Sequence, residues 1–275
     1  MTSKLSDRLV PVGRIFFAAA MVAFGALFFV FSATVEKLAP AWPARIPAQP
    51  GALAAGTLLV LAGVTIAGRL RGRTVALVLG AIILLWDVFC DVDLIKIAAT
   101  SLDIAKALAL GGGAFVIAGT LPRDRWLAGS WPARVSASLE KLIPLGRFFL
   151  APQMIIAGME HFIYLPYVVD FVPAWIPGHR FWACFTGAAL IAGGCGLLLR
   201  STARLAAALL GLAIFTWVLV LHLPRAFQYQ DANEWTSVFQ ALAMSGIAFV
   251  LARHPFGPAG VARETQGARG ITAPG

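Results

Sequence analysis

The chain has 275 residues, 59% of them hydrophobic and only 13% charged. A soluble domain carries about 25% charged residues, so the composition excludes an ordinary soluble globular protein. The net charge of +9 would suggest nucleic acid in a soluble protein. Here the bases gather between long apolar runs, as they do in cytoplasmic loops of membrane proteins, and membrane lipids replace nucleic acid as the expected partner.

A helix needs about 20 apolar residues to cross a bilayer core. Apolar runs fall at 15–34, 51–69, 73–90, 104–121, 146–166, 181–199, 203–222 and 235–252. They predict an all-α integral membrane protein of about eight transmembrane helices. The first run has the look of a secretion signal, but it recurs in mid-chain, which argues against its removal. At an offset of 133, Gly13-Arg14 falls on Gly146-Arg147, Gly25 on Gly158, and Pro40-Ala41-Trp42 on Pro173-Ala174-Trp175. At 131, Gly56 and Gly63 fall on Gly187 and Gly194, Arg69 and Arg73 on Arg200 and Arg204, and Trp86 on Trp217. At 134, Ala107-Leu108-Ala109 falls on Ala241-Leu242-Ala243, and Ala114-Phe115-Val116 on Ala248-Phe249-Val250.

The pattern predicts two four-helix-bundle repeats, residues 1–121 and 145–253, joined by a cytoplasmic linker at 122–144. A Gly-, Ala- and Arg-rich tail at 254–275 reads as disordered. An even number of crossings in each unit makes the repeats parallel, related by an axis along the membrane normal. Of the 22 Lys and Arg residues, sixteen fall on the side of the N-terminus, the linker and the tail. The positive-inside rule therefore places both termini in the cytoplasm. Trp126, Trp131 and the linker's bases suggest a segment lying on the inner membrane face.

Polar groups at the ends of membrane helices are costly, so each is a candidate for function. The third run carries Asp87 and Asp91, the fifth Glu160 and His161, and the seventh ends at His222, with Arg225 three residues on; Asn233 and Glu234 open the eighth. All fall toward the outer face. In the first unit Leu27, Phe28 and Leu94 occupy the places of Glu160, His161 and Arg225, so the second unit holds the fuller polar set. Three readings of these groups are open. Glu160 with Arg225, and Asp91 with Lys96, form structural ion pairs. Alternatively, His and acid side chains hydrogen-bond a quinone or lipid headgroup and exchange protons with it. The least favoured reading makes His161 and His222 axial ligands of a haem.

Residues 164–179 hold too many prolines for one helix. They read as an interfacial connector with aromatic anchors, Trp175 among them, that either belongs to an aromatic belt or forms a lid over an outer pocket; the same pattern recurs at 31–50. Trp182, Trp217 and Trp235 fall in the same belt. Cys90, Cys184 and Cys195 form no CxxC, which leaves neither a thioredoxin-type motif nor a zinc knuckle, and no metal is expected. Cys90 and Cys184 share the outer side, so a disulfide is one option and apolar packing the other. Gly193-Gly194 and Gly111-Gly112-Gly113 lack the Lys-Ser/Thr of a phosphate loop and read as close helix contacts.

Residues 145–252 resemble the DoxX-like family of bacterial four-helix membrane proteins. The resemblance rests on Gly146-Arg147, Ala157-Gly158 with a polar group at His161, and Val172-Pro173-Ala174-Trp175-Ile176-Pro177. It continues through Gly187 to Gly194, Leu199-Arg200, Arg204-Leu205-Ala206-Ala207, His222-Leu223-Pro224-Arg225 and Asn233. It implies a protein of the bacterial cytoplasmic membrane that serves a quinone-linked redox or oxidative-stress system as a subunit or accessory. The family includes a thiosulfate:quinone oxidoreductase subunit. This chain departs from the family in being doubled and in carrying His161 where many members carry Lys. The rival functions are a non-catalytic membrane scaffold and, ranked lowest, a small-molecule transporter.

Overall fold

The structure, a computed structural model, describes residues 3–31, 48–69, 71–90, 101–124 and 131–253. These are helical, with no strand among them. The first four helices are α1 (Ser3–Phe31), α2 (Ala48–Gly68), α3 (Gly72–Cys90) and α4 (Ser101–Ala118). A short α5 (Trp131–Glu140) lies in the linker. Next come α6 (Gly146–Ile163), α7 (Leu165–Phe171), α8 (His179–Leu198) and α9 (Ala203–Trp217). A π-helical turn, Val218–His222, leads from α9 into α10 (Leu223–Tyr229), and α11 (Ala232–Leu251) closes the fold.

The helix ends follow local chemistry. Pro166 stops α6 short of 166 and stands in the first turn of α7, where a missing N–H does no harm. Gly178 (φ 74°) turns the chain into α8 through a left-handed conformation that a Cβ would strain. The Asp231 carboxylate caps α11 by accepting from the N–H of Asn233 (2.7 Å) and of Glu234 (3.0 Å).

Six helical segments are long and apolar enough to cross a membrane: Arg8–Phe31, Gln49–Gly68, Val135–Ile163, His179–Leu198, Ala203–Tyr229 and Ala232–Leu251. Gly72–Trp86 and Ile104–Ala118 are shorter apolar helices. Where eight full spans are expected from the sequence, the described residues thus supply six by length. Leu53, Leu61 and Val64 of α2, Phe181 and Phe185 of α8, and Leu205, Leu209 and Leu212 of α9 are exposed. Exposed apolar side chains on several helices are compatible with a surface that lipid covers.

Glycine sets the close approaches. A Cβ on Gly25 would stand 2.5 Å from the Gly56 carbonyl oxygen, and one on Gly63 2.6 Å from that of Ala18, so α1 and α2 pack antiparallel almost backbone to backbone. The same contacts recur between α6 and α8. There Gly158 faces the Gly187 oxygen at 2.6 Å and Gly194 that of Ala151 at 2.9 Å. α3 packs on α4 through Gly80 and Phe115, and α9 on α11 through Gly211 and Phe249. Ser245 also donates to the Gly211 carbonyl across 2.8 Å. The halves meet where α1 packs on α11 (Gly13 against Gly246) and α4 packs on α6 (Gly112 against Phe149). α4 and α11 touch at Gly113 and Ile247. The core runs through these four helices, with Phe17, Phe24, Phe115, Leu150 and Ile247 fully buried. Gly158→Val is expected to push α6 from α8 and destabilise the protein by about 1–3 kcal/mol, read as a lower midpoint of thermal unfolding in detergent.

The linker is tied down. Glu140 at the end of α5 accepts from Arg73 Nε (2.8 Å) and Arg123 (3.1 Å). Arg73 also donates to the Leu121 carbonyl (2.9 Å) beyond the end of α4, while Asp124 accepts the Thr74 N–H (2.9 Å) at the start of α3. Trp126 and the tail 254–275 lie outside the described residues, as does most of the connector at 31–50.

Candidate functional site

A cavity of about 510 Å³ opens at the end of the molecule where α6 and the π-turn finish and α8 and α11 begin. Each wall is one face of a helix. α6 contributes Gln153, Ala157, Glu160 and His161, spaced about one turn apart, and Tyr164 follows at its C-terminal cap. α8 adds Trp182, Thr186 and Leu190; α11 adds Ser237, Gln240, Ala241 and Met244. α9 brings Ile214 and Trp217, and the π-turn Leu221 and His222. α7 covers one side with Tyr167, Val168 and Phe171, the place expected of a lid. From α4 of the first half, Lys106 completes the lining.

The π-turn is the local device that presents His222. One extra residue in the turn breaks the α register after Trp217, and such bulges concentrate at functional sites. His161 has a defined tautomer. Its Nδ1 lies 2.7 Å from the Ala157 carbonyl, which only accepts, so Nδ1 carries the proton and Nε2 offers its lone pair. Two polar atoms of the lining, Gln153 Oε1 and Thr186 Oγ1, are buried with no hydrogen-bond partner among the described residues. Gln153 is only 6% exposed. A buried amide oxygen left unpaired costs about 1–3 kcal/mol, so these atoms fit a bound polar group. Ser237, Gln240 and Lys106 add further polar groups, and the rest of the lining is apolar and aromatic, with Trp182 and Trp217 edge to face at 6.3 Å.

Of the candidates from the sequence, Glu160, His161 and His222 come together on this cavity. Arg225 does not pair with Glu160. It makes a two-point contact with Glu234, at 2.7 Å and 3.3 Å, and its guanidinium lies 3.9 Å from the centre of the Phe171 ring. Glu234 begins α11 beside the end of α10, closer in the fold than the far side of α6, and this is why it takes the arginine. Asn233 stands in the capped first turn of α11, and its Oδ1 is buried without a partner among the described residues. Trp175 is 72% exposed and stands apart from the cavity. Trp182 and Trp217 line it, and Trp235 stacks on Phe239. Asp87 lies in α3 with its side chain outside the described residues, and Asp91, with Lys96, lies outside them altogether. Cys184 and Cys195 are free thiols.

Sequence reasoning missed Gln153, Thr186, Ser237, Gln240 and Lys106. The first four carry a readable signal, since they are polar residues inside apolar runs at helical spacing from a recognised candidate or tryptophan. Lys106 is a charge near the start of an apolar run, but that it reaches this cavity follows only from the packing of α4 on α6 and α11. Among the described residues no group of three or more His, Cys, Asp or Glu side chains converges as a metal site would require.

A family described as a domain of unknown function (DUF8561) matches residues 150–252, less than half of the chain. The match runs from within α6 to just beyond α11 and so takes in every cavity wall except Lys106. No curated protein matches the chain, and no solved structure does.

Proposed function

We propose that this is a multi-pass protein of the bacterial cytoplasmic membrane, DoxX-like in its second half, that binds a quinone in the cavity of that half as a subunit or accessory of a redox system. The observation that carries this reading is the pairing of aromatic and aliphatic walls with the buried, unpartnered Gln153 Oε1 and Thr186 Oγ1 beside His161 and His222. A lipophilic ring with polar atoms at its edge satisfies both. The volume falls in the ~300–1,000 Å³ range of small-molecule sites. A bound quinone supplies two-electron, two-proton chemistry. The chain's residues would position the ring between Trp182, Trp217 and α7, hydrogen-bond its oxygens, and give or take protons at His161 Nε2 and Glu160.

The architecture we propose is a duplicated four-helix unit with eight crossings and both termini in the cytoplasm. Its support is the recurrence of the α1–α2 glycine contacts between α6 and α8, and of the α1–α11 contact between α6 and α4. Gly113 and Ile247, which occupy the same place in the two units at the offset of 134, touch each other, as they do when a two-fold axis passes between them.

The test is purification from membranes, with extraction of bound lipids for mass spectrometry and oxidised and dithionite-reduced absorbance spectra. Quinone retained at near one per chain is expected; bulk phospholipid alone, even after quinone is added back, would sink the reading. The scaffold alternative draws on the Arg225–Glu234 pair, in which two of these polar groups meet each other at 2.7 Å. Transport has no specific observation in its favour.

A further inference from the structure

A hydroxyl, an imidazole and an amide differ in what they give and take, and the hydrogen bonds they already make fix the role that is left. Three groups on the walls of the second half's cavity are left as acceptors. His161 spends its Nδ1 proton on the Ala157 carbonyl (2.7 Å), so Nε2 keeps a lone pair. Ser237 spends its hydroxyl proton on the Asn233 carbonyl (2.9 Å), so Oγ has only lone pairs to offer. Gln153 Oε1 is an acceptor by nature and is buried without a partner among the described residues. His161 and Gln153 come from α6 and Ser237 from α11, and all three line the same cavity.

The fixed donors of the lining are the indole N–H groups of Trp182 and Trp217 and the Lys106 ammonium. Lys106, like Glu160 and His222, already interacts with another group of the protein. The Thr186 hydroxyl, which has no partner, can act either way, as can Gln240, Tyr164 and Tyr167.

The two redox forms of a quinone meet these walls differently. The oxidised ring brings two carbonyl oxygens, which only accept. Against His161 Nε2, Ser237 Oγ or Gln153 Oε1 a carbonyl sets lone pair against lone pair and leaves a buried acceptor unpaired. The hydroquinone, richer by two electrons and two protons, brings two hydroxyls. Each donates one proton and still accepts, so it serves the acceptors and the indole donors alike.

We propose that the cavity prefers the reduced form of its ligand, a lipid-soluble hydroquinone, to the quinone; this rests on the reading of the cavity as a quinone site. Gln153 and His161 set the preference, and the class of reaction that supplies such a ligand is the reduction of a quinone in the same membrane. Tenfold tighter binding of the reduced form raises the midpoint potential of the bound couple by about 30 mV.

The experiment is calorimetric titration of the full chain in neutral detergent, without oxygen. The probes are a decyl-tailed benzoquinone and the same molecule reduced beforehand to its hydroquinone. The hydroquinone is expected to bind about tenfold more tightly or better. In Gln153→Leu and in His161→Phe its affinity is expected to fall about tenfold and that of the quinone no more than about threefold, so the preference shrinks. Comparing the ratio of affinities between parent and variant removes the unequal uptake of the two probes by the micelle. Gln153→Leu decides the matter if His161→Phe does not fold. Equal affinities in the parent, tighter binding of the quinone, or a preference that both variants keep overturns the proposal and leaves the quinone site standing. Binding of neither probe overturns both.

Discussion

His222→Ala is expected to cut the quinone retained by the purified protein about tenfold, while the unfolding midpoint stays within a few degrees of the parent. Tenfold corresponds to ~1.4 kcal/mol, and one hydrogen bond to a ligand contributes about 0.5–1.5 kcal/mol. The fold tolerates the change because His222 is half-buried and ends a π-turn, with Val218 and Ala226 carrying the packing on either side. Gln153→Leu sharpens the test. Leucine fills a similar volume and removes the unpartnered oxygen, so the ligand-free protein is expected to gain about 1 kcal/mol while quinone retention falls. A scaffold with no ligand gains the stability and loses nothing else. Unchanged binding in both variants would remove the cavity from consideration.

Glu234→Gln is expected to destabilise the protein by about 3 kcal/mol, the low end for breaking a buried ion pair. Only 13% of the Glu234 side chain and 21% of Arg225 remain exposed, so little water reaches the charge left behind. The bidentate contact ties α10 to the first turn of α11, and the guanidinium lies between Phe171 of α7 and Tyr229 of α10, 3.9 Å and 5.0 Å from the ring centres. Releasing Arg225 therefore also loosens Phe171, a wall of the cavity, and ligand retention is expected to fall together with stability. Thermal unfolding of ligand-free protein separates the two effects. A midpoint equal to that of the parent would show that the pair contributes nothing to the fold.

Helix positions were legible in the sequence because one physical demand dominates them. Runs of about 20 apolar residues are long enough to bury their own backbone polar groups in a bilayer, and the eight runs predict the places of α2–α4, α6, α8, α9 and α11 to within a few residues, while α1 begins at Ser3, well before the run that opens at residue 15. The break after Ile163 was legible through Pro166, and close helix contacts at Gly111-Gly112-Gly113 and Gly193-Gly194 were legible from the glycines themselves. A glycine inside a membrane helix is where another backbone comes close. Clustering of polar residues toward one end of the second half also followed from sequence alone, since a charge tolerated in an apolar run sits near its end.

Partnership was decided by the tertiary structure. Arg225 is three residues from His222 in the chain, yet its carboxylate is Glu234 rather than Glu160, because α10 folds back beside the start of α11. The π-turn at Val218–His222, which aims His222, has no residue pattern that announces it. Lys106 belongs to the first half by sequence and to the second half's cavity by packing. Local periodicity gives each helix its own face; which faces meet depends on contacts between different helices, some as near in the chain as Arg225 and Glu234 and some as far apart as Gly13 and Gly246, and a single helix carries no record of them.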